Sequence, residues 1–273
     1  MASVRAIIAA VVASLLPLLL APVDARHAVP ARKIVRAKPR PNPKLAPEKC
    51  EPARFRIVVD VGHTAEALGA DSARNDPEFA FNLRLARLIS EKLKSEGFAT
   101  TRLLVTEGRA RPSLFKRVNA ANDWRADLFL SIHHDAVPDK FLEQWEFEGA
   151  KSHFSDRFSG YSLFVSRQNP RYAASLAFAR LVGKELKAQD LTYAHQYTLP
   201  LMGRYRHELL DKDVGVYRYD QLVVLSRTRS AAVLLEAGSI INRDEEMAMN
   251  SPERQQMIAS AVAAAMEEFC EKR

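Results

Sequence analysis

Cysteine is nearly absent. Cys50 and Cys270 are the two in 273 residues, and no C-x-x-C pair or Cys/His cluster exists, which excludes a thiolate metal site. There is no internal repeat. Net positive charge is +7, yet most of the chain has no excess of it. Residues 26–49 hold eight Lys or Arg against Glu48 alone, Arg5 and Asp24 cancel before them, and residues 50–273 sum to zero. A body without net charge has no global positive field with which to grip nucleic acid, so no nucleic-acid partner is expected. Hydrophobic residues at 47% and charged residues at 27% exclude both a chain disordered throughout and a polytopic membrane protein.

The first 49 residues read as two segments. Arg5 precedes an apolar run of about 17 residues, broken by Pro17, and Val23 and Ala25 offer the small −3 and −1 residues a signal peptidase accepts. Residues 1–25 are thus expected to be a cleaved export signal, with an uncleaved anchor as the alternative, because a span needs about 20 apolar residues. Residues 26–49 place Pro30, Pro39, Pro41, Pro43 and Pro47 among their cations and have almost nothing to bury. They predict a basic, Pro-rich linker, either a plain spacer or a segment that adheres to anionic polymer or lipid headgroups. A periplasmic or secreted location follows, with no stable membrane span once the signal is removed. Export also means an oxidising compartment, so a disulfide from Cys50 to Cys270 is expected to join the ends of the body at 50–273.

Within that body apolar runs alternate with amphipathic stretches. The short β-branched run at 56–61 predicts a strand buried on both faces. Asp76-Pro77 announces a helix, which carries Phe81, Leu85, Leu88, Ile89 and Leu93 at helical spacing and stops at Gly97. Further strands are predicted at 98–105, 127–132, 161–165, 222–225 and 232–235, and further helices at 113–124, 171–187 and 252–269. The alternation predicts an α/β fold, a three-layer αβα sandwich around a mostly parallel, six-stranded twisted sheet.

Chemistry-bearing residues stand at strand ends. The run at 57–62 leads into His63, Leu128-Phe129-Leu130-Ser131-Ile132 into His133, and Ala232-Val233-Leu234-Leu235 into Glu236. Open α/β sheets bind ligands in the crevice beyond the carboxyl ends of their strands, and two imidazoles with a carboxylate suit a catalytic zinc ion. Singly, each has a plainer reading. His63 after a glycine is also a turn residue, and Glu78 in a first helical turn is also a capping charge. His133 and His134 face opposite ways on a strand, so at most one easily joins the site. Glu236 is harder to dismiss, because a carboxylate ending an apolar strand needs a partner or a task.

Taken together, IVVDVGHTAEALGA at 57–70, Glu78, Thr101-Arg102, Arg117 with Ala121-Asn122, SIHHDA at 131–136 and AVLLEAGSIIN at 232–242 resemble the zinc-dependent N-acetylmuramoyl-L-alanine amidases of the Amidase_3 type. The resemblance covers roughly residues 55–265. It implies that His63, Glu78 and His133 bind Zn2+, that Glu236 is the catalytic carboxylate, and that the substrate is peptidoglycan, cut between the lactyl group of N-acetylmuramic acid and the L-alanine of the stem peptide. A zinc peptidase acting within the stem peptide and a non-catalytic wall-binding module are the rival readings. Thr64, Asp135 and the pair Gly238-Ser239 depart from the family's usual glycine, asparagine and Gly-Phe, and Thr64 and Asp135 are expected beside the ligands. Asp60 and Ser131 are candidates for holding the free imidazole nitrogens. Two stretches exceed the minimal pattern, 139–159 and 191–213. Either is expected to be a surface loop or a lid over the metal, reaching it through Glu143, Glu146, His195, His207 or Glu208 and relieved by an activator protein.

Overall fold

A computed structural model describes residues 50–273; the expected signal and linker lie outside the described residues. Nine strands and six helices occur among those residues, besides short 3-10 turns. In chain order they are β1 (Ile57–Val61), α1 (Glu78–Ser95), β2 (Thr101–Leu104), α2 (Ala110–Asp123), β3 (Leu128–Asp135), β4 (Glu143–Phe147), β5 (Ala150–Phe154), β6 (Ser162–Val165), α3 (Tyr172–Ala188), β7 (Glu208–Asp211), β8 (Val216–Arg218), α4 (Val223–Ser226), β9 (Ala231–Ser239), α5 (Arg243–Asn250) and α6 (Pro252–Glu271).

The main sheet has seven strands, not the expected six, in the order β2-β1-β3-β9-β6-β8-β7. From β2 through β9 every pair is parallel; β6 then runs antiparallel to β9, and β7 antiparallel to β8. The miscount has two sources. The expected strand at 222–225 is the helical turn α4, where Val224 and Leu225 are buried and the Ser226 and Thr228 hydroxyls bond back to the carbonyls of Leu222 and Val224. A four-residue apolar run does not distinguish the two states by period. The short edge strands β7 and β8 went unread.

Alternation along each strand divides the core. Ile57, Val59, Val61, Leu130, Ile132, Val233 and Leu235 face α1, α3 and α6 through Phe81, Leu85, Ile89, Phe178, Val182 and Val262. Val58, Phe129, Phe164, Ala232 and Leu234 face α2 and α4 through Val118, Ala121, Val224 and Leu225. Strands that are apolar on both faces are what helices on both sides of a sheet require. Cys50 and Cys270 form a disulfide across 220 residues with Cα atoms 5.2 Å apart, pinning the start of the body to α6. No helix among the described residues is long and apolar enough to cross a membrane.

Candidate metal centre

At the carboxyl edge of β1 the backbone turns sharply. His63 lies at φ 66°, a left-handed conformation that is uncommon outside glycine. It is fixed there because the buried guanidinium of Arg117, from α2, donates to the His63 carbonyl and pairs with Asp60 in β1 at 3.4 Å. Ser131 completes this cluster by donating to Asp60 at 2.7 Å. Asp60 and Ser131 therefore do not hold imidazole nitrogens as expected; they anchor the arginine that holds the backbone of His63.

Glu78 opens α1 and lies between the two imidazoles. Its Oε2 is 2.8 Å from His63 Nε2 and its Oε1 is 3.0 Å from His133 Nδ1. Asn82, one turn further along α1, donates to Glu78 at 3.0 Å and to the Gly62 carbonyl at 3.2 Å, while the Ala70 and His134 amides donate to the same carboxylate. Burial pushes the Glu78 carboxyl up, but the bonds and proximity of His133 and His63 outweigh it and hold the group well below its usual range. Two glycines clear the space: a Cβ on Gly62 would sit 2.5 Å from His133 Nε2, and one on Gly69, at φ 87°, would sit 2.5 Å from Glu78 Oε2.

One donor atom from each of His63, Glu78 and His133 lies within 4.8 Å of the others. Tetrahedral zinc at about 2.1 Å from N and O ligands needs donors about 3.4 Å apart, so this set fits zinc with small side-chain adjustments. His134 points the other way, as strand alternation requires. It is buried against Phe81, with Nδ1 2.8 Å from Asn82 Oδ1, and burial depresses its pKa to about 3.

Glu236 faces the donors from the neighbouring strand. It is the register partner of His133 in the parallel pair, so both side chains leave the same face of the sheet. Its Oε2 is buried without a partner, and burial, with the charges of Asp135 and Glu78 nearby, drives its pKa well above the ordinary value. Asp135 lies two residues beyond His133 and accepts a bond from the Tyr197 hydroxyl at 2.6 Å. Burial raises its pKa to about 7, with Glu78 and Glu245 adding to the rise and Tyr197 opposing it. Thr64, in contrast, turns its hydroxyl to the Gly108 carbonyl at 2.7 Å and is a loop staple.

Among the described residues neither long stretch supplies a donor to the cluster. In residues 139–159, β4 and β5 form a hairpin that packs beside the loop leading to Glu78, where Trp145 and Ser152 both donate to the Ala73 carbonyl. Residues 191–213 supply Tyr197 and the edge strand β7, in which Glu208 pairs with Arg167 and Arg218. His207 packs on Phe164 and Tyr219, and His195 on Tyr193. Among the described residues none of Glu143, Glu146, His195, His207 or Glu208 joins the donor cluster, and the His63 and His133 side chains remain 31% and 15% exposed.

Such a sheet, with a His-Glu-His donor set at its carboxyl edge and a protonatable carboxylate beside it, defines a three-layer α/β protein with a candidate metal centre. Comparison with known proteins narrows the class. The model of the Amidase_3 family, N-acetylmuramoyl-L-alanine amidase, matches residues 57–268, and the chain belongs to this family. It is 35% identical over 94 residues to the N-acetylmuramoyl-L-alanine amidase CwlM of Bacillus licheniformis, a match covering 34% of this chain and 37% of that protein. To AmiC of Escherichia coli it is 24% identical over 238 residues, covering 78% of this chain and 52% of that one. Its fold matches that of the amidase Ami1 from Mycobacterium smegmatis with a TM-score of 0.60 at 18% identity, over 81% of this chain and 98% of that one.

Proposed function

We propose that this protein hydrolyses the amide between the lactyl group of N-acetylmuramic acid and the L-alanine of the peptidoglycan stem peptide, with His63, Glu78 and His133 as zinc ligands and Glu236 as the proton carrier. The observation that carries the proposal is one juxtaposition. Three metal donors converge within 4.8 Å, and a carboxyl whose Oε2 is buried without a hydrogen-bond partner leaves the same sheet face at the register position of His133. His63, Glu78 and His133 would hold zinc, which when bound would supply a lowered water pKa of about 7 and polarisation of a carbonyl. Glu236 supplies what remains: it accepts a proton from the attacking water and returns it to the departing amine, since an amide nitrogen leaves only when protonated. Its raised pKa favours that shuttle, because a carboxyl that ionises too readily would not return the proton. Arg117, Asp60 and Asn82 hold the donors in place and leave Glu236 free to turn over.

Export fits the same reading. The disulfide joins the ends of the body as an oxidising compartment permits, and residues 1–25 and 26–49 would then deliver and tether the 50–273 catalytic domain in the periplasm or outside the cell. Digestion of purified muropeptides tests the reaction. The expected products carry a free lactyl carboxylate on the sugar and an L-alanine amino terminus on the released peptide, formed only before chelation. Cleavage within the stem peptide identifies a peptidase instead, and binding without turnover a wall-binding module.

A further inference from the structure

Ser162 opens β6 and stands directly opposite Glu236 in the antiparallel pair with β9. Residues so opposed share a face, with Cβ atoms about 5 Å apart. The face is the one Phe164 and Leu234 bury against α2 and α4. Ser162 has 0% exposure, and its Oγ is buried without a partner, as is Glu236 Oε2. Two sealed, unpartnered polar atoms on directly opposed residues are rare in folded interiors, where such groups almost always pair. Their chemistries match: a serine hydroxyl donates and a carboxylate accepts. Two tyrosine hydroxyls around this niche are committed, Tyr197 to Asp135 at 2.6 Å and Tyr217 to the Ala194 carbonyl at 2.6 Å. Ser162 is a buried, uncommitted donor on the residue directly opposite Glu236.

We propose that Ser162 is a positioning residue for Glu236. Rotation of its side chain brings the hydroxyl onto Oε2, which fixes the carboxylate plane and leaves Oε1 to exchange the proton. This inference rests on the proton-carrier role assigned to Glu236. It goes beyond that role by naming what holds the carboxylate, and it locates the hold in a neighbouring strand instead of in the metal's surroundings.

Kinetics on purified muropeptides with the zinc-loaded enzyme test it. Ser162→Ala is expected to lower kcat about tenfold, the equivalent of one well-placed hydrogen bond, with KM within twofold of wild type and unchanged zinc content. Ser162→Thr, which keeps the hydroxyl and suits a strand, is expected to restore most of the rate. On a Glu236→Gln background Ser162→Ala is expected to change nothing further. In the metal-free protein the infrared carboxylate stretch assigned to Glu236 should shift when Ser162 becomes alanine, a readout independent of turnover. Wild-type kcat in Ser162→Ala beside an inactive Glu236→Gln overturns the positioning role alone. A fully active Glu236→Gln overturns the proton-carrier reading beneath it. A loss in Ser162→Ala that threonine does not restore, with an unmoved infrared band, marks a merely structural serine and also overturns the inference.

Discussion

Glu78 and Glu236 are both carboxylates at one edge of one sheet, the first buried and the second with one oxygen sealed, and their surroundings push them in opposite directions. Glu78 is met by two imidazoles, the Asn82 amide and two backbone amides, and the negative charge is held. Glu236 has no bond to its buried oxygen and two acidic neighbours, Asp135 and Glu78, and its pKa is raised. Burial acts on both alike; the difference comes from the partners. One side-chain type thus takes two electrostatic states at one sheet edge, and which state falls to which residue follows from whether the neighbours supply donors or further negative charge.

The contrast breaks most completely where Glu78 is removed. Glu78→Ala, His63→Ala or His133→Ala is expected to reduce bound zinc from near one per chain to near zero and to abolish amidase activity, as read by metal analysis and muropeptide assay. Full zinc occupancy in His63→Ala would dismiss the donor assignment. Glu236→Gln is expected to do the opposite at the other carboxylate: zinc and fold persist while kcat falls by about 10²–10⁴, the range for a general acid or base. Equal zinc loss in both variants would collapse the distinction between them. A perturbation remote from both comes next in size. Replacing Cys50 and Cys270 by serine is expected to lower unfolding free energy by about 2–5 kcal/mol in denaturant titrations while leaving kcat of the folded enzyme unchanged. A change in kcat at constant fold would link the disulfide to the site.

The smallest effect, per pH unit, separates His134 from its neighbour. Its pKa of about 3 lies below the ordinary 6.5, so between those values the unfolded chain binds a proton that the folded chain refuses. Stability of the metal-free protein should therefore fall as pH drops through that window, with a contribution of at most about 1.4 kcal/mol per pH unit from this one group. His134→Gln should flatten the dependence by that amount. An unchanged slope would mean that His134 is charged where it sits.

Much of this architecture was legible in the sequence because it depends on local period. The apolar runs that open β1, β3 and β9 and the amphipathic α1 and α3 announced themselves, and strand alternation correctly kept His133 and His134 on opposite faces. Asn82 was legible too, as the residue one turn after Glu78 with an amide on a buried face, but it was not read. Arg117 was noticed without a task, because a grip on the carbonyl of a residue 54 positions away leaves no local trace. Tyr197 and Ser162 belong with it: their places near Asp135 and Glu236 arise from pairing between distant segments. The edge strands β7 and β8, four and three residues long, are too short to show alternation.

The register linking Ser162, Glu236 and His133 across three adjacent strands bears on which changes in chain length the protein can accept. Side chains alternate sides at every residue, so inserting or deleting a single residue in β9 ahead of Glu236 would rotate the carboxylate to the opposite face, among Phe178 and Val182, and bring an apolar neighbour to the edge in its place. Turns between the strands carry no such parity and tolerate changes in length more readily. Related chains are therefore expected to vary freely in the connections while keeping the spacing from Ala231 to Glu236 fixed, so that divergence is confined to the rim and the reacting groups are inherited as a set.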